Sequence, residues 1–186
     1  YVEYPAIYHK DLLVAQIRSA RPGESKDDAQ KRGDREFMEL RQSPFFRSTL
    51  RAGCTAYDIY NHMYLPGYFD DPEVEYHLLA TGVTMWDVGV ERTVQVAGPD
   101  ADRLIDMITC RDLSTCAVKQ GKYMIVTAPD GGIVNDPVLL HVAEDTWWMQ
   151  LADSDAGLYA MGVAATSGLD AEVSFPDVHP MQVQGP

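Results

Sequence analysis

A carboxylate and an amide interrupt an apolar strand pattern near the middle of the chain. Asn135 and Asp136 precede Pro137, and the apolar run 138–142 follows directly. Because proline lacks a backbone N–H, Pro137 predicts a strand start, a sheet edge or a bulge. The residue before a proline is pushed toward extended geometry, so Asp136 is held in a restricted backbone. Two interpretations stay open: Asp136 is a functional acid, or it is a bulge residue that accepts hydrogen bonds from nearby amides.

Aromatic and thioether side chains crowd residues 57–69, where Tyr60, His62 and Met63 lie among acids and amides. Such a surface can hold an organic cation through cation–π and sulfur contacts. The same residue types also fill a core and place their hydroxyl groups at its rim, so both interpretations stay open. His62 has no second histidine at the spacing of a metal site, and we therefore expect no metal.

Several common enzyme classes find no support in the sequence. It contains no GxGxxG between a strand and a helix, no GxxxxGK[ST] and no GxSxG, which are the marks of dinucleotide folds, phosphate loops and serine hydrolases. The three cysteines, Cys54, Cys110 and Cys116, form no CxxC pair, which predicts reduced thiols and a cytoplasmic location. The apolar flank of Cys110 predicts a packed thiol rather than a nucleophile.

Composition and charge narrow the class of partner. The chain has 186 residues, 46% of them hydrophobic, and a net charge of −13. From Gly53 onward, twenty acidic residues stand against five basic ones, and such a surface repels a phosphate backbone, so we expect no nucleic acid. No apolar run approaches the length of a transmembrane helix, so we expect no membrane either. The negative charge either attracts a cationic substrate or keeps the protein in solution.

The elements that hold these residues follow an α+β order. From Arg92 the pattern predicts a strand, a helix, three strands, a helix and a strand, with helices packed on an antiparallel sheet. The turn at 130–132 predicts a hairpin that pairs strand 121–126 with strand 133–142. The helix after Asp100 has an apolar face at i, i+3, i+4 and i+7 spacing, formed by Ala101, Leu104, Ile105 and Ile108.

Capping residues mark the predicted helix starts. Ser43 followed by Pro44 predicts one start, and Asp71 followed by Pro72 predicts another. Either Asp153 or Ser154 is expected to cap the helix that runs to about residue 166, which Gly168 ends.

Seven fragments follow one another along the chain, at 60–63, 86–92, 96–101, 109–113, 121–123, 131–138 and 152–155. Together they resemble one known family, the folate-binding domain of the glycine-cleavage T-protein (aminomethyltransferase) superfamily. The resemblance is closest to its dimethylsulfoniopropionate demethylase branch and covers roughly residues 43–186. It implies a folate-binding domain over 43–186, incomplete because later domains are missing, after an unassigned N-terminal extension over 1–42. The chain begins at Tyr1 rather than Met, and we expect it to be part of a longer protein.

The resemblance implies an enzyme of one-carbon metabolism with tetrahydrofolate as co-substrate and no metal. It would demethylate dimethylsulfoniopropionate to methylthiopropionate and form 5-methyltetrahydrofolate. The alternatives are another folate-dependent aminomethyltransferase or O-demethylase of the family, a non-catalytic folate-binding module, and a plain α+β interaction domain. The expected partners are a small sulfonium or methylated substrate, with a second copy of the chain as the candidate protein partner.

The resemblance also implies roles for individual residues. Asp136 takes the catalytic position beside folate N5, folate-binding positions fall on Tyr123, Asp136, Val138 and Asp153, and substrate-side positions fall on Tyr60, Met63 and Trp86. Two departures from the family pattern stand out. Gly89-Val90 replaces the usual Ser-His, which speaks against aminomethyl chemistry on a lipoyl carrier, and Ala152 replaces a pocket Asn, with Asp153 next.

Overall fold

The chain divides into two compact units. A computed structural model describes Ser25 and residues 40–186. The first unit runs to Val90 and includes Pro180–Pro186, and the second unit is Glu91–His179. No helix in the described part of the chain is long and apolar enough to cross a membrane.

In its described residues, the first unit combines two short helices with two pairs of antiparallel strands. Strand β1 pairs with β2, and β3 pairs with β11. Its small core packs the Phe46 ring 5.1 Å from the Tyr57 ring, with Cys54 and Tyr64 beside them. Burial raises the pKa of the Cys54 thiol and of the Tyr57 phenol, so both stay protonated. The elements are α1 (Phe46–Arg51), β1 (Ala56–Tyr60), β2 (Met63–Tyr68), α2 (Pro72–Thr81), β3 (Thr84–Asp87) and β11 (Met181–Gln184).

The second unit is a five-stranded antiparallel sheet with two helices. The strand order is β10-β4-β9-β8-β5, and β6 and β7 form a separate pair. The predicted apolar face of the first helix is fully buried in the main core, together with Val94, Leu139 and Met149 from the sheet. The elements are β4 (Thr93–Ala97), α3 (Ala101–Ile108), β5 (Gly121–Tyr123), β6 (Val126–Thr127), β7 (Ile133–Asn135), β8 (Val138–Ala143), β9 (Thr146–Gln150), α4 (Ala156–Ser167) and β10 (Glu172–Ser174).

The predicted α+β class is confirmed, and the predicted hairpin forms with one modification. Each of its two strands is broken once, so that β5 pairs with β8 and β6 pairs with β7. Asp136 and Pro137 form the break on one side, and β8 begins at Val138. Pro137 therefore precedes a strand start, as its missing N–H predicts.

Of the three helix starts predicted from capping residues, two are wrong. Helix α1 begins at Phe46 rather than Pro44. The Ser43 hydroxyl donates to the Asp87 carboxylate and accepts from the Phe45 N–H at 3.1 Å, which lies before the first helical residue. Helix α4 has Asp155 at its cap position, without a side-chain capping bond. The third start is confirmed: the Asp71 carboxylate accepts from the Glu73 N–H at 2.9 Å, with proline at the first helical position.

Cys110 differs from its prediction, and two tyrosines of the aromatic stretch belong to the core. Cys110 is exposed rather than packed, since it follows the last buried residue of α3, Ile108. In the aromatic stretch, Tyr57 and Tyr64 are buried and serve the core, whereas His62 is exposed.

Candidate functional site

Asp136 lies in the two-residue break between β7 and β8. Its successor, Pro137, is buried, and the Pro137 carbonyl accepts a hydrogen bond of 3.1 Å from the N–H of Met124 on the facing segment. The backbone of the break is thereby fixed, while the Asp136 side chain is exposed. A carboxylate that is exposed on a fixed backbone is available to a ligand.

Tyr123 and Val138 stand directly opposite each other on β5 and β8. Directly opposed residues of antiparallel strands share one face of the sheet. Tyr123 is 71% exposed, and Val138 is half-buried. The Arg111 guanidinium donates a 2.7 Å hydrogen bond to the Tyr123 carbonyl and holds the end of β5. An open aromatic ring, an apolar side chain and the Asp136 carboxylate therefore lie along one short stretch of paired strands.

The loop that contains Asp153 is bonded to the same break through Asn135. The Asn135 amide donates to the Ala152 carbonyl (2.9 Å) and to the Ser154 hydroxyl oxygen (2.6 Å). Its carbonyl oxygen accepts from the Ala152 N–H (3.1 Å), and the Ser154 hydroxyl donates to the Val134 carbonyl (2.9 Å). These bonds bring the exposed Asp153 loop to the residue that precedes Asp136. Four of the predicted positions, Tyr123, Asp136, Val138 and Asp153, thus belong to one region of the second unit.

The three predicted substrate-side residues lie in the first unit. Tyr60 and Met63 pair across the end of the β1–β2 hairpin. Tyr60 is half-buried, whereas Met63 is only 3% exposed, so most of the Met63 side chain contacts the interior. Trp86 on β3 is 45% exposed, and its indole N–H donates to the Thr84 hydroxyl at 2.8 Å. Their roles as substrate contacts stay predictions, and Trp86 is the most exposed of the three.

A cavity of about 480 Å³ lies beside Trp86 within the first unit. Residues of β2, α2 and β3 line it, and most of its wall is apolar. The Glu75 carboxylate at its edge accepts from the Phe69 N–H at 3.0 Å. Among the described residues that form this wall, neither Tyr60 nor Met63 appears, so the structure does not bring the three substrate-side residues together around it.

Sequence reasoning missed two polar anchors. Asp87, next to Trp86, is 9% exposed and accepts hydrogen bonds from the Ser43 hydroxyl and from the Gly89 N–H (3.1 Å). Asn135 was noticed only as an interruption of a strand. The sequence signal for Asn135 was an amide directly before Asp-Pro in an apolar run. An amide at such a position becomes buried, and a buried polar side chain requires hydrogen-bond partners.

The arrangement in the second unit suits a flat heteroaromatic ligand. The exposed Tyr123 ring offers a stacking surface, and Val138 offers an apolar contact. The Asp136 carboxylate can accept hydrogen bonds from ring or amino N–H groups. In the part of the chain that the structure describes, no group of three His, Cys, Asp or Glu residues is placed to hold a metal ion.

The sequence profile of one family, described as "GCVT N-terminal domain", matches residues 45–186. The chain belongs to this family. The GCVT N-terminal domain here is 41% identical over 147 residues to dimethylsulfoniopropionate demethylase DmdA of Ruegeria pomeroyi, which covers 79% of this chain and 40% of that protein. It is 27% identical over 153 residues to an aminomethyltransferase of Bordetella parapertussis, covering 79% of this chain and 41% of the relative.

A solved structure has the same fold as this GCVT N-terminal domain. The crystal structure of glycine cleavage system aminomethyltransferase T from Bartonella henselae superposes with a TM-score of 0.67 at 18% identity, covering 79% of this chain and 41% of that one. The chain therefore spans about two fifths of the length of the relatives that it matches. The resemblance to the T-protein superfamily is confirmed.

Proposed function

We propose that the protein containing this chain is a tetrahydrofolate-dependent methyltransferase that demethylates dimethylsulfoniopropionate. The observation that carries the proposal is the 41% identity over 147 residues to dimethylsulfoniopropionate demethylase DmdA. The aminomethyltransferase relative is more distant, at 27% identity. Gly89-Val90, in place of the usual Ser-His, supports the same choice between the two branches.

Residues of the second unit fit the pterin ring of tetrahydrofolate. The exposed Tyr123 ring can stack on it, Val138 can contact its edge, and the acids Asp136 and Asp153 can accept from its N–H groups. When bound, tetrahydrofolate would supply the nitrogen that accepts the methyl group: the S–CH3 bond breaks as the N–CH3 bond forms, the nitrogen releases its proton, and the products are methylthiopropionate and 5-methyltetrahydrofolate. A sulfonium carries its own leaving group, so the protein's task is alignment and charge stabilisation.

Asp136 is assigned the central role in that task. Its carboxylate is exposed on a backbone that Pro137 and Met124 fix. A fixed negative charge can stabilise a sulfonium cation or orient a nitrogen nucleophile, and it does so without reorganising during the reaction. Alignment of two reactants can lower the barrier by about 7–11 kcal/mol in the ideal case.

A product assay on the full-length protein tests the proposal. The protein is incubated with tetrahydrofolate and dimethylsulfoniopropionate, and both products are measured by mass spectrometry. We expect methylthiopropionate and 5-methyltetrahydrofolate in equal amounts, and neither product when folate is omitted. Failure to bind folate would exclude this function, and it would also exclude every other folate-dependent one.

Aminomethyl transfer is the second candidate, and the 27% identity to an aminomethyltransferase favours it over other rivals. The same protein is tested with an aminomethyl-loaded lipoyl carrier and with a methoxy-aromatic donor. Folate binding with turnover of one of these donors, and none of dimethylsulfoniopropionate, would replace the first proposal. Folate binding without turnover of any donor would indicate a non-catalytic folate-binding module.

A further inference from the structure

We propose that Asn135 is a positioning residue that fixes the two acids, Asp136 and Asp153, for the transfer reaction. The inference rests on the proposed function, because it assigns a supporting role in the same reaction. It stands on the hydrogen bonds of the Asn135 carboxamide, which join the strand break to the loop after β9.

The Asn135 carboxamide is nearly inaccessible and well satisfied. Asn135 is 4% exposed, and its amide donates to the Ala152 carbonyl and to the Ser154 hydroxyl oxygen. The amide oxygen accepts from the Ala152 N–H, so this single side chain makes a reciprocal pair with one backbone residue. The Ser154 hydroxyl closes the connection by donating to the Val134 carbonyl. Each bond lies within the usual length range for a protein hydrogen bond or close to it.

The two acids are the immediate neighbours of this connection. Asp136 follows Asn135 directly, and Asp153 lies between Ala152 and Ser154, the two residues that Asn135 contacts. Both acids are exposed and therefore accessible to a ligand. Their backbones are fixed through Asn135, and a shift of the loop would move Asp153 relative to Asp136.

The position requires an amide rather than an acid. An ionised carboxylate is isosteric with the amide but only accepts hydrogen bonds. It would face the Ala152 carbonyl oxygen and lose both donated bonds. A protonated carboxyl donates one bond and accepts another, so it can restore the reciprocal pair with Ala152. Burial disfavours the charged form, which raises the pKa of a carboxyl introduced here.

Asn135→Asp in the full-length protein tests this requirement. We expect kcat to fall about 10²-fold at about pH 8, the loss typical of misplacement by roughly 1 Å, with KM for folate changed less. Activity relative to wild type should recover as the pH falls toward about 6, since protonation restores a donor. Asn135 itself does not titrate, so the wild-type pH profile is the reference for the variant. It already contains any effect of the neighbouring acids and phenol, which are Asp136, Asp153, Asp155 and Tyr159.

Hydrogen–deuterium exchange supplies a readout that needs no turnover. An aspartate at position 135 can still accept from the Ala152 N–H, but it loses both donated bonds and its charge repels the Ala152 carbonyl oxygen. The loop should therefore loosen, and exchange of the Ala152 N–H should accelerate in Asn135→Asp while protection of the β4 and β9 strands is retained. Gln95→Glu is the matched control. It makes the same amide-to-acid change in the same unit, and the new oxygen can still accept from the Trp148 indole N–H (2.9 Å in the parent). We expect wild-type activity and a wild-type pH profile from it.

Ser154→Ala tests the same positioning role if Asn135→Asp does not fold. This variant removes the hydroxyl that Asn135 and Val134 bond, and it leaves the pair with Ala152 intact. We expect a smaller fall in kcat, about tenfold, with faster exchange of the loop. Wild-type kcat in this variant would overturn the positioning role.

The remaining outcomes separate the inference from the function on which it rests. An Asn135→Asp enzyme that folds and keeps the wild-type pH profile would overturn the positioning role while the demethylase function stands. Faster loop exchange with unchanged kcat would also overturn it, because the bonds would then serve structure alone. If the wild type lacks transfer activity but Ala152 exchange responds, the proposed function fails, and the role in catalysis fails with it.

Discussion

At the scale of single residues, Asp136 is an exposed acid, so a substitution there can change activity without changing stability. We expect Asp136→Asn to lower kcat by about 10²–10³-fold, the loss typical of removing one preorganised electrostatic group. Its urea unfolding midpoint should match the wild type, because an exposed side chain contributes little to stability. Steady-state kinetics and unfolding on the same full-length preparation provide both measurements.

Asp130→Asn is the control for that substitution. Asp130 is an exposed acid of the adjoining turn, and its carboxylate accepts from the Gly132 N–H at 3.0 Å, a bond that an amide oxygen can also accept. The charge change is identical, so kcat should stay at the wild-type value. If Asp136→Asn turned over as fast as Asp130→Asn, Asp136 would be a bulge residue and nothing more.

The sequence predicted some of these residues and not the connection between them. Asp136 could be found because Asp-Pro in an apolar run restricts the local backbone. The partners of Asn135 could not, because Ala152 and Ser154 lie 17 and 19 residues further along the chain. Ser154 matched a helix cap equally well by local sequence, and tertiary hydrogen bonds decided its role. Local rules cannot rank a capping bond against a partner that the fold alone brings near.

At the scale of elements, the hairpin shows the same limit. Its turn and pairing followed from 130–132 and from the apolar pattern on either side. The break between β5 and β6 did not follow from the sequence, because the pattern of residues 121–126 indicates one continuous strand. In the structure, the Met124 N–H donates to the Pro137 carbonyl within the break, where Pro137 has no N–H of its own to donate to the ladder. A break in one strand was predictable, and the answering break in its partner was not.

Helix α4 gives a test of how tightly an element packs on the sheet. Gly157 is buried, and a Cβ there would lie 2.6 Å from the Phe175 ring and 2.9 Å from a Val94 methyl. Phe175 is 39% exposed and can shift, but Val94 is fully buried. We expect Gly157→Ala to lower the free energy of unfolding by about 1–3 kcal/mol through overpacking. Urea denaturation measures it.

Gly162→Ala in the same helix is the control. Among the described residues, nothing beyond the chain neighbours and the adjacent backbone of the helix lies within 4 Å of a Cβ at Gly162, so only helix propensity changes. Alanine is favoured over glycine by about 0.8–1 kcal/mol in a helix interior, and this variant should be stabilised by up to that amount. Equal stabilisation of both variants would show that α4 is not packed against Val94 and Phe175 as described.

At the scale of the whole molecule, the predicted positions fall in two units. Tyr60, Met63 and Trp86 belong to the first, and the positions assigned to folate belong to the second. The order of strand and helix patterns from Arg92 predicted the α+β class, because that class depends on element order alone. The assignment of a residue to one unit depends on long-range pairing: β11 joins β3 across roughly a hundred residues, from Gln184 to Thr84. No local pattern in the sequence specifies such a pairing.

The net charge of −13 either attracts a cationic substrate or keeps the protein in solution, and a salt titration decides between these two roles. Dimethylsulfoniopropionate is a zwitterion with no net charge at neutral pH, and electrostatic steering acts chiefly on ligands with net charge. We therefore expect kcat/KM of the full-length protein for dimethylsulfoniopropionate to change less than about twofold between about 20 and 500 mM NaCl. The Debye length shortens severalfold over this range. Unfolding midpoints measured at each salt concentration separate a stability effect from a steering effect. A tenfold fall with unchanged stability would mean that the negative surface attracts a cationic substrate, and it would favour a donor other than the zwitterion.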